Sequence, residues 1–160
     1  MGAVERLVAW RRFRPVRELL MLYGIDMPAA VIVGRDLQLI HRGIGCVFHP
    51  DTTIGDRVQI YHQVTIGRAD AYLPKEHMAA MRVEIGDDVV IFPGAKVLGR
   101  RGTLRIGNGS IIAANAVVLQ STGENEIWAG APARCVGRRR ASGDQADRAL
   151  SGRRERKAAR

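Results

Sequence analysis

Only two cysteines, Cys46 and Cys135, occur in 160 residues. They are too few for a disulfide framework and do not form a metal-type pair, so both read as reduced, partly buried thiols, and no activating base stands beside Cys46. Nor does any apolar run approach the length that crosses a bilayer. The N-terminus carries no secretory apolar core with a small-residue cleavage site, so a cytoplasmic protein is expected. What the chain does hold is 46% hydrophobic and 26% charged residues, enough for one core in one soluble domain.

From Ile54 onward a large aliphatic residue returns every sixth position, at Ile54, Ile60 and Ile66. A helix repeats near 3.6 residues and a half-buried strand near 2, so neither explains a period of six. The phase continues through Ile85, Ile91 and Val97 and, after three extra residues, through Ile106, Ile112 and Val118; backward it reaches Phe48, Leu39 and Val33. Twelve positions share it. Hexapeptide repeats of this kind build a mainly β chain, a single-stranded left-handed parallel β-helix in which the recurring aliphatic side chains stack inside and each coil buries the next. Small Gly, Ala, Ser and Asn residues would fill its turns.

Three regions follow from this register. Residues 1–23 read as an N-terminal helical cap, broken or kinked near Pro15, with Leu7, Val8, Trp10, Phe13, Leu19, Leu20 and Leu22 among Arg6, Arg11, Arg12, Arg14 and Arg17. A basic amphipathic segment can lie on a membrane surface, but an open repeat stack needs a capped end, which is the plainer reading. Residues 24–137 form the coil domain, with a loop insertion at 68–81 and Trp128 folding back over the last coil. Residues 138–160 hold nine basic and three acidic residues, which is +6 of the formal +9. That tail is expected to be disordered. Contact with nucleic acid or an anionic membrane through it is an alternative, weakened by the lack of interleaved aromatics.

Asp26 precedes the first repeats, where a turn carboxylate is ordinary. His41 lies beside Gly43-Ile44-Gly45, an irregular glycine-rich step. An imidazole there can reach a ligand cleft and a nearby carboxylate can fix its tautomer, although most such histidines are structural or solvated. His62 follows His41 by one eighteen-residue coil plus three residues, so the two imidazoles are expected on one face. With His49 they lack a further ligand at recognisable spacing, and no metal is expected.

Gly24-Ile25-Asp26, Val33-Gly34-Arg35, Leu39-Ile40-His41, Val64-Thr65-Ile66-Gly67, Gly94-Ala95-Lys96-Val97-Leu98-Gly99, Val117-Val118-Leu119 and Ala129-Gly130-Ala131-Pro132-Ala133-Arg134 together resemble serine acetyltransferases and their hexapeptide-acyltransferase relatives, over roughly Gly24 to Gly137. The resemblance implies an acetyl-CoA-dependent O-acetyltransferase that works as a homotrimer. It implies His41 as general base and Asp26 as its partner, since the family's dyad has the same separation of fifteen. It places Gly67, Pro93 and Ala114 along the pantetheine arm, with Lys96 and Ala113 adjacent. In the family an excursion such as 68–81 reaches over a neighbouring subunit's site, which makes Tyr72, Lys75 and His77 candidate acceptor contacts beside His62. L-serine is the leading acceptor.

Three departures bear on that acceptor. The large helical domain usual ahead of the coils is replaced by some two dozen residues. The family's Arg-His pair falls on Met81-Arg82, leaving Arg82 to meet a substrate carboxylate. The stretch from His41 to Pro50 looks more like relatives that acetylate sugars or polysaccharides. A sugar O-acetyltransferase is therefore the alternative, and a non-catalytic β-helix scaffold the second.

Overall fold

The computed structural model describes residues 2–140. Two short helices lead the chain, α1 (Ala3–Ala9) and α2 (Arg14–Leu22). Val4 and Val8, one turn apart on α1, and Leu20 on α2 are buried against the first coil. Of the two outcomes expected near Pro15, a break and a kink, the segment shows the break. It sits in the first turn of α2, where a missing N–H costs nothing, and the break falls at residues 10–13. Arg11 in that break is buried, and its guanidinium donates to the carbonyls of Val8 and Val31, which ties the cap to the coil. Burial lowers its pKa from the usual arginine value.

Fourteen strands follow among the described residues, numbered along the chain, and they form three faces. The first face holds β1 (Ile32–Val33), β4 (Thr52–Ile54), β7 (Met81–Ile85) and β10 (Gly102–Ile106). The second holds β2 (Gln38–Leu39), β5 (Gln59–Ile60), β8 (Val90–Ile91), β11 (Ile111–Ile112), β13 (Glu126–Gly130) and β14 (Ala133–Arg138). The third holds β3 (Val47–Phe48), β6 (Thr65–Arg68), β9 (Lys96–Gly99) and β12 (Val117–Val118). Through β12 each strand pairs in parallel with the strand three places on, so the chain visits the faces in rotation. The fold is thus mainly β, with parallel sheets wrapped as a three-faced coil.

The six-residue period explains the register. Leu39 lies opposite Ile60, Ile60 opposite Ile91, and Ile91 opposite Ile112. Strand spacing of about 4.8 Å therefore puts each aliphatic side chain directly on the next. Eleven of the twelve phase positions are buried, and Val33, at the open first coil, is partly buried. A second buried row, including Val58, Val64, Val89 and Val97's neighbour Ala95, lies two residues earlier, because alternate residues of a strand share a face. Each buried Ile, Leu or Val contributes roughly 1.5–3 kcal/mol.

The corner between the first and second faces accounts for the recurrent Gly-Asp. The Arg35 N–H donates to Asp56 (2.7 Å), the Asp56 N–H to Asp87 (2.8 Å) and the Asp87 N–H to Asn108 (2.9 Å). For that ladder to close the coils must approach so nearly that a Cβ on Gly34 would lie 2.6 Å from the Asp56 carboxylate. Ion pairs Arg35–Asp56 and Arg57–Asp88 run along its outside. Hydrogen bonds from these arginines hold the Asp56 and Asp88 carboxyls below the usual range. Being exposed, the pairs contribute little to stability.

At the far end β14 turns back antiparallel along β13, with Trp128 opposite Cys135. Trp128 is buried there, and its indole N–H donates to Glu126 (2.9 Å). Strand β14 runs through Arg138. Most of the basic tail, residues 141–160, lies outside the described residues. No described helix is long and apolar enough to cross a membrane.

Candidate active site

Most turns between the second and third faces are tight. Five positions separate Ile60 from Thr65, but eight separate Leu39 from Val47, and the three extra residues bow outward. His41 (φ 54°) and Arg42 (φ 61°) both adopt left-handed backbone inside that bow. Each such non-glycine residue costs of order 1 kcal/mol, and strain of this kind persists where packing over-determines it. Here Leu39 and Cys46, both buried, fix the two ends, and buried Gly43 packs its backbone against Leu39. The result is an exposed imidazole on a rigid base.

His62 occupies the same corner one coil below. The two imidazole centroids are 5.1 Å apart at 79°, so the expectation that they share a face is met by the geometry. The Nδ1 of His62 is buried and has no hydrogen-bond partner. Beside them Tyr61 stacks on Phe92 at 5.0 Å and 16°, and its ring meets His41 edge-on at 6.2 Å. This aromatic wall escaped the sequence reading, although Tyr61 and Phe92 hold one repeat position, each following a phase isoleucine.

Asp26 reaches the same neighbourhood from the third face. Buried Ile25 and Met27 on either side turn its side chain outward, and its backbone bridges in parallel to Val47. Its N–H donates to Cys46 O (2.9 Å), and its carbonyl accepts from Phe48 N–H (2.9 Å). Among the described residues its carboxylate makes no hydrogen bond to His41.

Pro93 and Ala114 continue the His62 column down the corner, with Ala113 next to Phe92's position: Phe92 N–H donates to Ile112 O, and Asn115 N–H to Pro93 O. Gly67 and Lys96 instead lie on the third face, in β6 and β9. The Lys96 ammonium bends back to the corner and donates to Gln63 O and Gly94 O, both at 2.9 Å, so it braces the turns beneath His62. A Cβ on Gly67 would meet Leu98 and Thr65 only at 3.7–3.8 Å, so packing within the chain does not demand glycine there.

Tyr72 and His77 sit elsewhere. The excursion joins β6 to β7, across the opposite corner of the third face, and both side chains are exposed. Arg68 staples its two ends: it pairs with Asp70 (2.9 Å) and donates to Ala79 O (2.9 Å) and Arg100 O (3.0 Å). The hydrogen bond from Arg68 holds the Asp70 carboxyl below its usual range. Arg82, exposed on β7, faces a cleft of about 840 Å³ shared with His49, Asp51, Met78 and Thr103. His49 is thus removed from His41 and His62, and no cluster of three metal-ligating side chains exists among the described residues. Burial lowers the His49 pKa and pushes the Cys46 thiol up to about 11, so Cys46 is no nucleophile.

One chain therefore carries two halves. His41, His62, Pro93 and Ala114 occupy one corner, with Asp26 beside it; Tyr72 and His77 lie on the excursion at the next, and Arg82 on the strand that follows it.

No family model matches the chain. It is 34% identical over 117 residues to a serine acetyltransferase of Mycobacterium tuberculosis, a match covering 73% of this chain and 47% of that protein. Against a serine acetyltransferase of Staphylococcus aureus it is 38% identical over 113 residues, covering 71% of this chain and 49% of the relative. Among solved structures, a serine acetyltransferase from Brucella abortus in complex with coenzyme A superposes with TM-score 0.67 at 27% identity, covering 87% of this chain and 55% of that one. The chain spans about half the length of the curated relatives it matches.

Proposed function

The chain is a relative of the serine acetyltransferases, and on that footing we propose that it moves the acetyl group of acetyl-CoA onto the hydroxyl of L-serine. The observation that carries this reading is His41, an exposed imidazole held on a strained bow above a column of small residues. The proposed coil is a left-handed hexapeptide β-helix, with residues 24–137 as the transferase domain, 1–23 as its helical cap and 138–160 as a basic tail.

In the reaction, the neutral His41 imidazole takes the serine hydroxyl proton as the oxygen attacks the thioester carbonyl. A tetrahedral oxyanion forms, the C–S bond breaks, and the proton passes from His41 to the departing thiolate. Asp26 stabilises the imidazolium between those two transfers, acting across the outward row that begins the third face. The pantetheine arm lies along Pro93 and Ala114, with Ala113 beside them. Gly67 leaves room on the third face, and Lys96 keeps the turns rigid. His62 offers its ring to the acceptor.

The division of the candidate residues between two corners supports a homotrimer. A neighbouring copy would bring its excursion, with Tyr72 and His77, and its Arg82 against the His41 corner of the first, completing the acceptor pocket. A cytoplasmic location suits the use of acetyl-CoA.

The test is thiol release from acetyl-CoA with serine, homoserine and several sugars as acceptors. Serine-dependent release that disappears in His41→Ala, with the thermal midpoint retained, is the expected result. Release driven only by sugars moves the acceptor assignment, and silence with every acceptor leaves a scaffold.

A further inference from the structure

The helical cap leaves much of its apolar surface outside the core. Val4, Val8 and Leu20 are buried, whereas Trp10 (62% exposed), Phe13 (58%) and Leu22 (84%) face solvent together with half-exposed Leu19 and Tyr23. Trp10 and Phe13 stack on each other at 5.8 Å in the break between the helices. On α2, Phe13, Val16, Leu19 and Tyr23 recur at helical spacing and form one stripe. A Cβ placed on Gly24 would come within 4.0 Å of the Ile44 side chain, itself exposed, so the stripe runs on toward the His41 bow.

The charge around this stripe is mostly positive. Arg6, Arg12 and Arg14 are exposed and Arg17 is partly so, and none of the four has an ion-pair partner among the described residues. Against them stand two carboxylates, of which Glu5 already accepts the Leu39 N–H (3.0 Å). Glu18 alone is left.

Aromatic side chains beside unpaired arginines complement one partner chemistry well. An anionic bilayer accepts indole and phenyl rings at the boundary of headgroups and acyl chains while its phosphates meet the guanidinium groups. A second copy of the cap would bring arginine against arginine. We infer that the α1–α2 cap docks on anionic lipid membranes, with Trp10, Phe13 and Leu19 inserted and Arg12, Arg14 and Arg17 on the phosphates. This binding is independent of acetyl transfer.

The experiment is co-sedimentation of the full chain with vesicles of phosphatidylglycerol mixed with phosphatidylcholine, and with phosphatidylcholine alone. Retention by the anionic vesicles only is expected, with a blue shift of tryptophan emission that Trp10→Ser removes while Trp128, already buried, stays unchanged. Trp10→Ser/Phe13→Ser should weaken retention at least tenfold. Neutralising Arg12, Arg14 and Arg17 to Gln should weaken it about fivefold for each. None of these positions is buried; Leu19→Ser on the second helix repeats the apolar arm should the paired substitution loosen the cap. Retention that ignores every apolar substitution assigns binding to the basic tail and overturns the proposal. So does equal retention by neutral vesicles, or a lipid-free assembly that Trp10→Ser/Phe13→Ser dissociates.

Discussion

Gly43 and Gly102 share a backbone φ of +63°, yet alanine at the two positions should have different consequences. At Gly102 a Cβ would meet nothing within 4 Å, so alanine there costs only the left-handed conformation, about 1 kcal/mol. At Gly43 the added carbon would lie 3.3 Å from both Cβ and Cδ1 of Leu39, inside the usual carbon–carbon separation of about 3.5–4.0 Å. Overpacking of that kind adds about 1–3 kcal/mol, so Gly43→Ala should lose about 2–4 kcal/mol in total. Leu39 is buried by its column and cannot retreat, which leaves the bow to move. His41, the proposed general base, is two residues away, and displacing such a group by 1 Å can cost about 100-fold in rate. Urea unfolding and serine-dependent thiol release, measured on both variants, test this. Gly102→Ala should keep its kcat, while Gly43→Ala should lose at least tenfold. The excess destabilisation should shrink in part in a Leu39→Ala background, which removes the Cδ1 contact and keeps the Cβ one. Equal stability losses at the two glycines, or a destabilised Gly43→Ala with full kcat, would refute the link between the Leu39 contact and the placement of His41.

Other perturbations follow from the same geometry. Cys135 is exposed while Cys46 is buried with its thiol pushed up to about 11, so a thiol reagent at pH 8 should count one cysteine in the native chain and two after denaturation. Asp70→Asn removes the charge that Arg68 holds at the base of the excursion; protease cleavage within 69–80 should accelerate and the acceptor KM should rise, with kcat for the remaining bound substrate less affected. Burial depresses the His49 pKa, so the unfolded chain takes up a proton first as pH falls below about 6.5; stability that is complete above that value declines toward the folded pKa, and His49→Gln should flatten this part of a pH–stability curve. Asp56, Asp70 and Asp88, held low by their arginines, act in the same direction further down: their contribution is present above the ordinary carboxylate pKa near 4 and is lost as pH drops through their folded values.

The coil was legible because its information is repeated. Ile54, Ile60 and Ile66 announce three strands on three faces, and every later coil restates them, so insertions after Gly67 and Val97 could be recognised as interruptions of one register. Pro15 marked the neighbourhood of the break, but not that it falls at residues 10–13, where Arg11 reaches the distant Val31 carbonyl. The site was legible in part. His41 and His62 could be paired by counting coils, but the left-handed backbone at His41 and Arg42 has no sequence signature of its own. Tyr61 and Phe92 were hidden by a focus on aliphatic positions. Nothing in a local motif tells that the Lys96 ammonium reaches the carbonyls of Gln63 and Gly94. The separation of Arg82 and His77 from His41 is a property of the rotation through three faces, invisible to spacing along the chain.

The reversal of β14 along β13 closes one end of the second face, and the helices occupy the other. Between those two stops every layer makes the same contacts with the layer above and below. A further layer spliced after β12, ahead of the closing β13–β14 pair, would meet partners of the kind that its neighbours already provide and leave the column from His41 to Ala114 undisturbed. The height of the prism is thus adjustable separately from its chemistry, and the molecule can be lengthened like a ruler to suit whatever lies along its edge.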